Sequence, residues 1–249
     1  MSKTAEAYFF EAFAGMGRLG PGSEESTRQA AERAGRQDEA LRILDVGCGN
    51  GVQTLQLAQL YPRATITGVD NHQPFLDTLQ EAAAQQGVGQ RLNTVCASMD
   101  EMDFPDRSFD LIWSEGAIYV IGFERGIGEW QRLLAPGGTL ACSEVCWLTG
   151  SPAPEAVAFW QAEYPQIASI GAQLRQIGEA GYTAVEHFVL PRSDWEGYYS
   201  AIQANLDRMS AAYPRDEVAR EVIATLQNEI DVHRRYGDQY SYAFYLMRR

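Results

Sequence analysis

The chain has 249 residues, 45% of them hydrophobic, a formal net charge of -13 and a sequence pI near 4.7. That length suits one domain with insertions, and the acidic balance excludes a phosphate-tracking surface, which needs clustered Lys and Arg. Basic doublets occur only at Arg234-Arg235 and Arg248-Arg249, so nucleic acid is not an expected partner.

Residues 4–16 place Ala5, Tyr8, Phe9, Ala12, Phe13 and Met16 at helical spacing, which predicts an amphipathic first helix packed on the sheet. Gly20-Pro21-Gly22 then turns into a helix start, with Ser23 as its cap and Ser26 one turn on; free amides there could instead hold a carboxylate. Residues 41–46 read as a strand, Gly47-Cys48-Gly49-Asn50-Gly51 as a loop, and Val52, Leu55, Leu57, Ala58 and Leu60 as one helix face ended by Tyr61-Pro62. A second apolar run, 64–69, delivers Asp70. Asn71-His72-Gln73-Pro74 opens the next helix, with Phe75, Leu76 and Leu79 inward, and 92–96 is a third strand followed by Ser98 and Met99.

The run 109–114 reads as a central strand ending at Glu115-Gly116-Ala117-Ile118-Tyr119. Ile127, Trp130, Leu133 and Leu134 mark a helix stopped by Pro136-Gly137-Gly138, and 139–145 is a fifth strand. Residues 147–170 break the βαβ rhythm with prolines and with Trp147, Phe159, Trp160 and Tyr164, as expected of a cap over a site. A helix through Leu174 and Ile177 with a stop at Gly181, a strand at 184–190, a mainly helical insertion at 194–236 and a terminal strand at 240–247 complete the chain. Cys48, Cys96, Cys142 and Cys146 form no C-x-x-C pair and read as reduced, buried thiols. No run approaches the ~18 apolar residues of a membrane span and no leader pattern is legible. The expected setting is cytoplasmic, with no membrane partner; the oligomeric state is left open.

The stretch 41–70 is a mononucleotide-type βαβ unit. Glycines without Cβ atoms let the backbone turn at a strand's end and lie against a ligand, in the crevice where doubly wound sheets bind cofactors. Asp70 lies nineteen residues past Gly51, near the spacing at which an acid meets ribose hydroxyls. The dinucleotide fingerprint G-x-G-x-x-G/A fails at Val52. Asp45 beside the loop should repel a pyrophosphate and welcome a cation. S-adenosylmethionine, cationic and free of phosphate, fits that pattern.

Leu44-Asp45-Val46-Gly47-Cys48-Gly49-Asn50-Gly51 resembles motif I of the class I S-adenosylmethionine-dependent methyltransferases, and Val69-Asp70 resembles the acidic end of their second strand. Phe104-Pro105-Asp106 through Ile112, and Arg132 through Leu140 with its Pro136-Gly137-Gly138, resemble later motifs in the same order. The resemblance implies an α/β, Rossmann-like, doubly wound seven-stranded sheet, order 3-2-1-4-5-7-6 with strand 7 antiparallel. It implies one domain over 1–249, with 147–170 and 194–236 as substrate-side insertions, and an N-terminal segment that closes over the cofactor. The cofactor-binding candidates are Asp45, Gly47, Cys48, Gly49, Asn50, Gly51, Asp70, Asn71, Ser98, Met99 and Glu115. Ser98 stands where the family usually has an Asp for the adenine amino group. Glu115 and Tyr119 are the catalytic candidates, facing the reactive sulfonium, and the chemistry calls for no metal. The expected activity is methyl transfer to a small molecule. A nicotinamide oxidoreductase, a protein methyltransferase and a noncatalytic cofactor-binding module are the alternatives.

Overall fold

The computed structural model describes residues 3–249. Strands β1 (Arg42–Val46), β2 (Thr65–Asp70), β3 (Leu92–Cys96), β4 (Phe109–Ser114) and β5 (Leu134–Trp147) are joined in parallel pairs. A two-residue strand, β6 (Ala168–Ser169), pairs with the end of β5. With β7 (Ala184–Val189) and β8 (Tyr240–Arg248) the sheet runs β3-β2-β1-β4-β5-β8-β7, and β8 is antiparallel to both neighbours. This is the expected order once the short β6, too brief to leave a periodic signal, is counted.

Both faces of the sheet are covered, which is why its central strands are apolar in every direction. On β1, Ile43 joins one core cluster while Leu44 and Val46 join the other, the period of two expected of a strand. Helices α1 (Ala5–Ala12), α2 (Glu24–Ala34), α3 (Val52–Leu60) and α4 (Gln73–Gln85) precede β3, and α5 (Phe123–Trp130) precedes β5. Then come α6 (Pro154–Glu163), α7 (Ile170–Glu179), α8 (Arg192–Ala212) and α9 (Glu217–Tyr236). Ser23 caps α2 by accepting from the Ser26 amide at 3.1 Å, and the Ser26 hydroxyl donates to buried Asp194 at 2.6 Å. Those groups serve as cap and brace, and neither serine lines the site described below.

Several expectations are corrected. The first helix stops at Ala12, and α1 lies against α8 and α9 rather than on the sheet. The helix expected through Leu134 ends at Trp130 with a 3-10 turn at Gln131–Leu133, and β5 starts at Leu134 instead of 139. Pro136-Gly137-Gly138 is absorbed within that strand by a register shift opposite Phe109 and Leu111, with Gly137 at φ 73. Cys48, Cys142 and Cys146 are buried free thiols, but Cys96 is exposed.

Candidate active site

The carboxyl ends of β1, β2 and β3 and the loop after β4 surround a cavity of about 360 Å³. Its floor is the glycine loop. The Gly47 and Cys48 amides both donate to the Val69 carbonyl, at 2.8 and 3.0 Å, which ties the end of β1 to the end of β2. Gly47 sits at φ 71, and a Cβ there would collide with the Cβ of Ala117; Gly51 sits at φ 87, and a Cβ there would collide with Leu79. Both positions therefore demand glycine on two grounds, left-handed backbone and close approach.

Asp70 accepts from the Gly49 amide through Oδ2 and from the His72 amide through Oδ1, each at 2.9 Å. One carboxylate thus fixes the loop and the start of α4 together, and each oxygen keeps a lone pair for a ligand. Asn50 lines the cavity and donates through its side chain to the Met16 carbonyl at 2.9 Å, while Asn71 lines it beside Asp70. Ser98 and Met99 form the wall beyond β3. The Ser98 hydroxyl proton is committed to Asp100 Oδ1 at 2.5 Å, so what Ser98 offers the cavity is a lone pair. Cys48 lines the cavity, but its thiol is buried and pushed far above its usual pKa by desolvation, so it stays protonated and contributes as backbone.

One candidate is corrected. Asp45 does not line the cavity: it is fully buried beneath the loop, accepting from the Thr54 hydroxyl at 2.6 Å. Burial pushes its carboxyl up to about 7, the Thr54 hydrogen bond opposing, so it is not the fixed anion that the cation argument required. Arg18 is the one Lys or Arg among the residues lining the cavity.

Glu115 lines the cavity but is no free base. Its Oε1 accepts from the Thr27 hydroxyl and the Trp113 indole, each at 2.8 Å, and its Oε2 pairs with Arg18 at 2.5 Å. The ion pair is nearly enclosed, with 15% and 6% of the two side chains exposed. Arg18 and the turn 19–21 were missed by sequence reasoning, because their partners lie far along the chain and the only local signal was a Gly-Pro turn. Gln53 was missed as well; it lines the cavity and its amide donates to the Cys48 carbonyl at 3.1 Å.

A second cavity of about 360 Å³ adjoins the first across Leu19, Gly20, Pro21, Gly116 and Tyr119, which border both. Its walls include Phe13, Phe159, Trp160, Trp195 and Tyr198. Tyr119 meets Tyr164 edge to face with ring centroids 5.9 Å apart. Trp147 does not line this chamber; it packs against Tyr240. Among the described residues no group of three His, Cys, Asp or Glu is arranged to hold a metal ion, and no helix is long and apolar enough to cross a membrane.

Residues 43–138 match a family model described as a methyltransferase domain. Over 109 residues the chain is 35% identical to a sterol 24-C-methyltransferase of Neurospora crassa, covering 43% of this chain and 28% of that one. Over 123 residues it is 37% identical to a trans-aconitate 2-methyltransferase of Delftia acidovorans, covering 48% and 44%. The matched part of the chain thus spans less than half the length of these curated relatives. A crystal structure of an S-adenosylmethionine-dependent methyltransferase from Thiobacillus denitrificans, in complex with S-adenosyl-L-homocysteine, has a TM-score of 0.82 at 25% identity, covering 97% of this chain and 98% of that one. This sheet order, this glycine loop and these matches support a class I S-adenosylmethionine-dependent methyltransferase, with the matched methyltransferase domain at residues 43–138.

Proposed function

We propose that the chain transfers the methyl group of S-adenosylmethionine to a small molecule held in the aromatic chamber. The observation that carries this reading is the shared wall: a nucleoside-sized cavity floored by glycine backbone opens beside an apolar chamber, with Gly116 and Tyr119 at the boundary. In the donor cavity the Asp70 oxygens would accept from the ribose diol and the Ser98 lone pair from the adenine amino group. Met99 and Phe75 supply apolar surface for a purine, and Asn71 an amide. Arg18 keeps N–H groups beyond those given to Glu115 and Thr27, suited to the donor's carboxylate.

When bound, the donor supplies a sulfonium-linked methyl group for in-line displacement by an acceptor lone pair. The chain's part is to hold the acceptor at about 3–3.5 Å in a site that excludes water. The apolar walls serve the second requirement and the Tyr119 hydroxyl, by hydrogen bonding the acceptor, the first. Glu115 is a positioning residue in this account, since its oxygens already accept from Thr27, Trp113 and Arg18. The acceptor's proton then passes to solvent, with no dedicated base required. A small acceptor is favoured over a protein by the chamber's size and aromatic walls.

Calorimetric titration with S-adenosylhomocysteine and, separately, NADH tests the donor, and formation of S-adenosylhomocysteine from S-adenosylmethionine across a metabolite panel tests turnover. Binding of S-adenosylhomocysteine alone is expected. Binding of NADH in its place overturns the reading.

A further inference from the structure

The two cavities differ in charge. Arg18, Asp70 and Glu115 all line the donor cavity, whereas the chamber has no Lys, Arg or His on its walls and two carboxylates, Glu163 at the end of α6 and Glu229 on α9. Glu229 accepts from the Tyr199 hydroxyl at 2.9 Å, and among the described residues no cation is paired with either glutamate. We propose that the acceptor is an amphipathic organic cation, its apolar body lying against Phe159, Trp160 and Tyr198 and its ammonium held by Glu163 and Glu229. This rests on the methyltransferase reading above and names the substrate class of the same site.

The charge and placement of these carboxylates support the assignment. A carboxylate set into an aromatic wall is costly unless paired; burial pushes the Glu229 carboxyl up, and the nearby Glu163 charge pushes it further. An ammonium entering the chamber relieves both effects and gains attraction to the ring faces. An anionic acceptor would meet two carboxylates and no basic side chain. Two carboxylates are too few for a protein-held metal site, in line with the lack of a three-ligand group among the described residues.

Placement adds a mechanistic consequence. Glu163 and Glu229 border the chamber but not the donor cavity, while Gly116 and Tyr119 border both. The cation is therefore a handle held away from the boundary. An ammonium has no lone pair to give, so the nucleophile is a different atom of the same molecule, presented at Tyr119.

The test uses probes that share one body: 3-phenylpropylamine, 3-phenylpropan-1-ol and 3-phenylpropanoate, titrated near neutral pH into protein saturated with S-adenosylhomocysteine. The amine should bind about tenfold more tightly than the alcohol, and the carboxylate most weakly. Glu229→Gln also alters the Tyr199 contact, so Glu163→Gln, on the exposed end of α6, reads charge alone. Each variant should cut the amine's advantage severalfold and leave the alcohol's affinity unchanged. An amine no tighter than the alcohol, or an advantage that survives both substitutions, overturns the proposal. Absence of S-adenosylhomocysteine binding sinks the methyltransferase reading itself, whereas its binding without an amine preference sinks this inference alone.

Discussion

Replacing Asp70 tests the donor site most directly, because one carboxylate does two jobs there. Its oxygens accept from the Gly49 and His72 amides at 2.9 Å each, and in the proposed complex their remaining lone pairs accept from the ribose diol. Hydrogen bonds to a charged acceptor contribute about 1.5–3 kcal/mol each. Asp70 is half-buried, so for Asp70→Ala we take the low end for both ribose bonds, about 3 kcal/mol, or roughly 100-fold in Kd. Asp70→Asn should be nearly as damaging. A side-chain amide offers its oxygen to one of the two backbone N–H groups and turns an NH2 group against the other, so the loop and the start of α4 are no longer held together. In Asp70→Ala the two unmatched amides should also lower the melting temperature by about 5 °C, at roughly 2–4 °C per kcal/mol for a chain of this size. Calorimetry with S-adenosylhomocysteine and a thermal scan on the same samples read both effects. An Asp70→Asn protein that binds within about threefold of the parent would refute the reasoning, because it would mean the carboxylate faces the loop and not the ligand.

Three further outcomes are expected. Glu115→Gln removes the charge opposing a nearly enclosed Arg18 and should destabilise by about 3 kcal/mol, lowering the melting temperature by about 6–12 °C; an unchanged melting temperature would show that the pair does not brace the fold. Tyr119→Phe should reduce turnover roughly five- to tenfold, the worth of one hydrogen bond, with donor affinity intact, and full turnover would remove the hydroxyl from acceptor positioning. Burial pushes the Glu144 carboxyl from 4.5 up to about 8, so the fold prefers its protonated form. That contribution is fully present below about pH 4.5 and is lost as pH rises to about 8, at about 1 kcal/mol per pH unit. Glu144→Gln, neutral throughout, should therefore gain in melting temperature relative to the parent between pH 5 and pH 8.5, and a constant gap at the two pH values would contradict the shift.

What was legible in the sequence was what neighbouring residues decide among themselves. The run from Leu41 to Asp70 announces strand, turn and helix through apolar period, glycine spacing and an acidic stop, and the structure builds it within a residue of those bounds at β1, α3 and β2. Ser23 as a cap and Gly181 as a helix stop were legible for the same reason. Asp45 was misread because adjacency to the loop says nothing about direction: as an odd-numbered position on β1 it shares the face of Ile43 and points beneath the loop toward Thr54. The partners that fix Glu115 were out of reach of sequence reading, because Arg18 and Thr27 lie 97 and 88 residues away. The aromatic residues of α1 announced an apolar face but not its destination, which α8 and α9 provide from the far end of the chain.

The N-terminal segment follows from those distant contacts. The resemblance implied a segment that closes over the cofactor, and a mobile lid would be one physical form of that. Residues 12–18 are instead fastened at successive points: the Asn205 side chain donates to the carbonyls of Ala12 and Ala14 at 2.7 and 3.1 Å, and Asn50 of the glycine loop donates to that of Met16. Arg18 then pairs with Glu115 after β4 and donates to Thr27 of α2. Leu19, Gly20 and Pro21, immediately after the last of these anchors, form part of the wall between the two cavities. Opening there would break an enclosed ion pair and several hydrogen bonds at once, so the turn is better understood as a fixed partition. In the proposed reaction donor and acceptor would meet across a boundary whose spacing is set by α8, the glycine loop and β4 together, and Glu115 would act as a positioning residue without any proton passing through it.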